Sequence, residues 1–119
     1  MTPTEKQAHF ELLSSRLVEQ CSVAGIWIIC YRYRATEAEE LAYYKAGLSE
    51  IDPTKTPTMH MLGLAKDFAV AAADWSGYDW GTIAAYTKMG EIAESLGLLW
   101  GGRWTTLRDY GHVQYVEGT

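Results

Sequence analysis

His60, Asp67 and His112 are the side chains of this chain best placed by type and order to do chemistry together. They sit in the strings Thr-Met-His-Met-Leu-Gly-Leu-Ala-Lys-Asp and Asp-Tyr-Gly-His-Val-Gln. Two imidazoles and one carboxylate can hold a zinc ion and leave its fourth position to water. Asp109, just before His112, then supplies a base, and a hydrolase becomes the first function class to consider. Spacing alone does not decide the matter. The chain has only 3 histidines, and an arbitrary His pair with an Asp between is more often surface chemistry than a metal site.

Geometry limits how such a site can be built. As one extended strand, the stretch from His60 to Asp67 would hold its ends roughly 23 Å apart, at about 3.3 Å per residue, and on opposite faces. The segment must therefore coil or reverse. Gly63 can take the positive φ that a reversal needs, and Asp67-Phe68-Ala69-Val70 reads as the start of a buried strand. A helix would also bring positions i and i+7 to one face, so spacing leaves both options open. On a strand, Asp109 and His112 would face opposite ways, so Asp109-Tyr110-Gly111 reads as a turn feeding a strand that begins near His112.

The string Thr58-x-His60-x-x-Gly63-x-Ala65-x-Asp67 is followed by Leu96-Gly97-Leu98-Leu99-Trp100-Gly101-Gly102-x-Trp104, and then by Asp109-x-x-His112-x-Gln114. Together these resemble the zinc peptidases of the D-alanyl-D-alanine carboxypeptidase family, in particular its branch of phage L-alanyl-D-glutamate endopeptidases. Upstream, Tyr33-Arg34-Ala35-Thr36-Glu37-Ala38-Glu39-Glu40 and Tyr44-Lys45-Ala46-Gly47 resemble the family's "YR-(S/T)-x-E-x-Q … LY-x-x-G" segment. The sequence departs from the pattern at Ala35, at Lys66 and at Arg103, and the stretch from Arg34 to Gly47 is longer by a residue. None of these departures removes a metal ligand; they bear on substrate contacts and on which arginine is functional.

The resemblance implies zinc held by His60, Asp67 and His112. Asp109 would act as general base and then acid, and Arg34, or alternatively Arg32, would donate to the substrate carbonyl as charge develops. Tyr33 and Thr58 are secondary candidates; Thr58 either orients a ligand or is a solvated loop hydroxyl. The implied substrate is the peptidoglycan stem peptide, cut between L-alanine and D-glutamate by a phage lysin that a separate pore-forming protein releases to the wall. Two rivals stay open: a carboxypeptidase acting on terminal D-alanine, and a zinc-containing but inactive peptide-binding module. The presence of Asp109 and an arginine weighs against the second.

Composition sets the frame. A chain of 119 residues, 48% hydrophobic and 21% charged, is expected to form one catalytic domain, residues 1–119, around a single core. No repeat, linker or separate wall-binding module is read from it, and it is expected to act as a monomer. A net charge of -5 without a basic stripe excludes a nucleic-acid partner and offers nothing to an anionic membrane. The longest apolar run, residues 23–31, is too short to span a bilayer, and no basic region precedes an apolar core at the N-terminus. No membrane anchor or signal peptide is therefore expected, and synthesis should end in the cytoplasm. Cys21 and Cys30 are expected to stay reduced.

The elements that must position the site can be read coarsely. Pro3 and the pattern Phe10, Leu12, Leu13, Leu17, Val18 predict an amphipathic helix over residues 4–21, with His9 a surface residue of it. The continuously apolar run Ile26-Trp27-Ile28-Ile29-Cys30-Tyr31 predicts a central strand buried on both faces, ending at Arg32 and Arg34, which share a face. Thr36 with Glu39 forms a capping box for a helix ending at Gly47. A loop over residues 48–59 then delivers His60, and a second amphipathic helix over residues 83–96 is closed by Gly97. Trp100 and Trp104 are either an aromatic core under a tight turn or a groove wall. The whole predicts an α+β fold: a small, mainly antiparallel sheet with packed helices and the zinc on its exposed side.

Overall fold

The structure, a computed structural model, describes residues 1–118. It opens with α1 (Pro3–Val23), whose start is fixed by a capping box: Thr2 Oγ1 accepts from the Glu5 amide and the Glu5 carboxylate accepts from the Thr2 amide. Its buried stripe is Phe10, Leu13, Ser14, Leu17 and Cys21. Next come β1 (Ile28–Arg32) and α2 (Glu37–Lys45), the latter capped by Thr36 and Glu39 as its sequence requires. A long loop leads to β2 (Ala65–Val70), followed by α3 (Ile83–Ser95), β3 (Leu99–Trp100), a 3-10 turn (Gly101–Arg103) and β4 (His112–Gln114).

The four strands form one antiparallel sheet in the order β1-β2-β4-β3, so the α+β expectation holds. Helices α1 and α3 cover one face of it. Phe68 and Val70 of β2 and Val113 of β4 pack there with Phe10, Leu17 and Met89. Because side chains alternate along a strand, the residues between them, Asp67 and His112, project from the other face.

One expectation needs correction. β1 is an edge strand, not a central one, and only Ile28 of its five residues is buried. The central place belongs to β2, where every position except Lys66 is buried. Lys66 itself reaches back under α1, donating to Ser14 Oγ at 2.9 Å and pairing with Glu11. Continuous apolarity in β1 therefore has another origin: Trp27, Ile29 and Tyr31 are exposed on the surface. No helix among the described residues is long and apolar enough to cross a membrane.

Candidate metal centre

His60 lies in a turn, not on a strand. Leu62, Gly63 and Leu64 amides donate to the carbonyls of Thr58, His60 and Met59, and Gly63 closes the turn at φ 70. This reversal lets the chain enter β2 so that Asp67 comes back beside His60. Across the ladder, Asp67 pairs directly with His112, which makes them neighbours on the open face. Gly111 is what allows β4 to start so close. Its carbonyl accepts from the Phe68 amide at 2.8 Å, and a Cβ at that position would stand 2.3 Å from the Phe68 carbonyl oxygen.

The three side chains are buried and converge. Asp67 Oδ1 is 3.0 Å from His112 Nδ1, and Asp67 Oδ2 is 3.3 Å from His60 Nε2. One ligand atom from each lies within 4.8 Å of the others. Both rings are tied from behind. The Nδ1–H of His60 donates to the Tyr33 carbonyl at 2.7 Å, and the Nε2–H of His112 donates to Gln114 Oε1 at 2.8 Å. Such outer bonds fix the tautomer and turn the remaining lone pair of each ring inward. His60 Nε2 is thus a buried acceptor without a hydrogen-bond partner, facing a carboxylate oxygen. Facing acceptors repel unless a proton or a cation sits between them, so this donor set fits a small divalent ion.

The local charges respond accordingly. Burial alone would raise the Asp67 carboxyl, but where a proton rather than a cation sits between it and the inward ring nitrogens of His112 and His60, the bonds so formed outweigh burial and hold the group below the usual carboxylate range. Burial would lower His112, and the bond that its inward nitrogen makes to Asp67 when it carries a proton overrides that and raises it. Asp109 goes the other way from Asp67. Burial and then the Asp67 charge push its carboxyl up, with only the Gly111 amide, at 3.3 Å, as a hydrogen-bond donor among the described residues.

These groups line a cleft of about 850 Å³. Of the two candidate arginines, Arg32 lines it and Arg34 does not. Arg32 bonds Asp67 Oδ2 at 3.0 Å and Glu40 Oε2 at 2.7 Å and lies over the Tyr43 ring. The reason is a break in the β1–β2 register between Cys30 and Arg32, which sets Arg32 opposite Asp67. Arg34 falls beyond the strand and its guanidinium lies 5.5 Å from the Tyr33 ring.

Thr58 is buried, not solvated; its hydroxyl donates to Glu40 Oε1 at 2.6 Å, so Thr58 and Glu40 together hold Arg32. Glu40 was not singled out in the sequence, although a helical spacing of three to Tyr43 places both beside Arg32. The Tyr33 hydroxyl donates to the Gly63 carbonyl, steadying the His60 turn. The two tryptophans divide their roles. Trp100 is core, with its indole N–H on the Tyr110 carbonyl, whereas Trp104 lines the cleft 4.8 Å from the His112 ring. His9 packs edge-on against Tyr115, remote from this centre.

The model of the peptidase family described as D-alanyl-D-alanine carboxypeptidase matches residues 52–115, more than half of the chain. The chain belongs to this peptidase family. Among curated proteins it is 30% identical over 105 residues to the L-alanyl-D-glutamate peptidase of a Listeria phage, an alignment covering 84% of this chain and 34% of that protein. It thus spans about a third of the length of the curated relative it matches. Among solved structures it is similar to the Serratia marcescens L-Ala D-Glu endopeptidase ChiX, with a TM-score of 0.62, 22% identity, and coverage of 76% of this chain and 68% of that one. That likeness bears on the fold. The matched segment contains His60, Asp67, Asp109 and His112, and leaves out Arg32 and α2.

Proposed function

We propose that this protein is a zinc-dependent peptidoglycan peptidase that cuts the stem peptide between L-alanine and D-glutamate. The observation that carries the reading is the buried, outward-tied His60–Asp67–His112 set with its unpartnered His60 nitrogen, at the floor of a cleft that also holds Asp109. Membership of the peptidase family and the named activities of the phage and Serratia proteins support the choice of substrate.

In this reading, His60, Asp67 and His112 hold the metal. Zinc bound there supplies Lewis acidity, which acidifies water and polarises a carbonyl. Asp109 takes the proton of the attacking water and passes it to the leaving amine. Its raised affinity for a proton suits a group that must both accept and return one. Arg32, oriented by Glu40 and Thr58, offers its remaining N–H groups to the carbonyl oxygen, a contribution commonly about 3 kcal/mol per donor. Trp104 walls the cleft beside His112. Wall access depends on release by a separate pore-forming protein, and the protein acts as a monomer.

Digestion of purified peptidoglycan by the zinc-loaded protein and by His112→Ala, with mass spectrometry of the fragments, tests this. New amino termini at D-glutamate from the native protein alone are expected. Free D-alanine would move it to the carboxypeptidase branch, and a bound zinc without any cleavage would make it a binding module.

A further inference from the structure

The open face continues past the cleft into a surface that the peptidase reading does not use. Trp27, Tyr31, Trp75, Tyr78 and Trp80 are between 41% and 61% exposed. They form two groups in contact: Tyr31 and Tyr78 meet Trp80 edge-on at 5.6 and 5.4 Å, and Trp27 meets Trp75 at 6.1 Å. They come from two pieces of chain, the edge strand β1 with its preceding residue, and the loop after β2. That loop is pinned by the Asp79 amide on the Val70 carbonyl, the Ala72 amide on the Gly77 carbonyl and the Ala71–Tyr78 bridge. Trp75 takes φ 61, a conformation that L side chains other than Asn and Asp rarely adopt. An exposed aromatic edge strand is a liability for aggregation, and exposed apolar patches of this kind mark interaction sites.

The surface is continuous with the catalytic cleft. A second hollow of about 190 Å³ is lined by Tyr31, Trp80 and Ile83 on one side and by Arg108 and Asp109 on the other. Tyr31, Arg108 and Asp109 line the main cleft as well. The proposed base therefore stands between the main cleft and the hollow that holds Trp80.

We propose that this aromatic shelf binds the glycan strand of peptidoglycan, so that the enzyme reads sugar and peptide together. The inference rests on the stem-peptide reading above. In peptidoglycan the L-alanine is joined directly to the lactyl arm of the muramic sugar, so a protein that cuts after it holds a pyranose ring one residue from the scissile bond. The surface next to Asp109 is placed to meet that sugar. Flat aromatic faces are electron-rich and accept the C–H face of a pyranose ring, while Arg108, with no carboxylate partner among the described residues, stands beside them for the polar substituents. An anionic membrane is the poorer occupant. Asp74 and Asp79 flank the shelf, and the chain carries a net charge of -5.

The test compares two substrates: the free stem peptide L-Ala-D-Glu-L-Lys, and the same peptide on a GlcNAc–MurNAc disaccharide. Trp80→Ala should lower kcat/KM on the disaccharide substrate by about three- to tenfold and leave the free peptide unchanged; Trp75→Ala, at a still more exposed position, should act in the same direction. Equal losses on both substrates, or none on either, would overturn the glycan assignment. An independent reading is the change in tryptophan fluorescence of the native protein with glycan strands stripped of their peptides. It should be seen, and should be lost in Trp80→Ala. If the native protein cleaves neither substrate, the peptidase reading fails on its own, and the stripped strands still decide the shelf. Loss of binding to phosphatidylglycerol vesicles, or of self-association in sedimentation, without any effect of stripped glycan, would assign the shelf to a membrane or to a second copy instead.

Discussion

The two faces of β2 and β4 are built from alternate residues of the same short strands, yet they obey opposite rules. On the helix side Phe68 and Val113 are apolar and closed in by α1 and α3. On the other side Asp67 and His112 are buried polar groups, each held by several directed bonds. Strand alternation lets neighbours in sequence serve stability and chemistry separately. The ligand side is a network in which each bond orients the next, from Thr58 to Glu40 to Arg32 to Asp67. Energy on the core side is spread over area, so shape and volume matter there more than any single atom.

The largest expected effect comes from removing a ligand. His112→Ala should abolish zinc retention, measured as metal per chain after dialysis, and bring peptidoglycan hydrolysis to background, while Val113 keeps its place and the melting temperature changes little between the metal-free proteins. Unfolding of this variant at ordinary temperature would show that the two faces are not separable. Next, Asp109→Asn should lower turnover by about a hundred- to ten-thousandfold with zinc still bound. Retained turnover would remove Asp109 from the mechanism.

Phe68→Ala probes the other side of the same strand. It should cost about 3–5 kcal/mol of stability in denaturant titration and leave zinc affinity unchanged at temperatures where the protein is folded. A parallel loss of zinc affinity would mean that core packing sets the ligand geometry after all. Gln114→Leu is subtler, because it removes only the acceptor that orients His112. Zinc affinity should fall by about ten- to a hundredfold, read by competition with a chelator.

These contrasts also explain what could be read in advance. The approach of His60, Asp67 and His112 was legible through the motif resemblance; spacing left coil and helix open between His60 and Asp67, and the turn at Gly63 with the antiparallel pairing of Asp67 and His112 is what the structure adds. Helix α2 was legible from its Thr36–Glu39 capping box, α1 from Pro3 and its apolar pattern, and the ends of α2 and α3 from Gly47 and Gly97. Which arginine reaches the cleft was not, since alternation treats Arg32 and Arg34 as equivalent while the strand stops at Arg32 and is broken in register just before it. Nor was the place of β1: an apolar run looks the same whether a second layer covers it or an aromatic surface is left open. Trp100 and Trp104 likewise share a residue type and a motif, and only the packing of α3 and the 3-10 turn sends one inward and the other to the cleft.

The smallest expected effect tests whether chemistry on the open face is held against stability. Asp109 has its proton affinity raised by burial and by the Asp67 charge. A carboxyl whose folded pKa lies above its unfolded value, about 3.9, stabilises the fold fully below that value, and this contribution is lost as pH rises through the folded pKa. At neutral pH the charged Asp109 is therefore a burden that asparagine does not carry. Metal-free Asp109→Asn should melt above the metal-free native protein at neutral pH, and the gap should close as pH falls into the ordinary carboxylate range. Asp67 contributes with the opposite sign, since its pKa is lowered, but it is present in both proteins and cancels in the difference. A gap that stays constant with pH, or a native protein that melts higher at neutral pH, would place Asp109 in a relaxed setting. The same residue would then serve the reaction without the tension that separates this face from the core behind it.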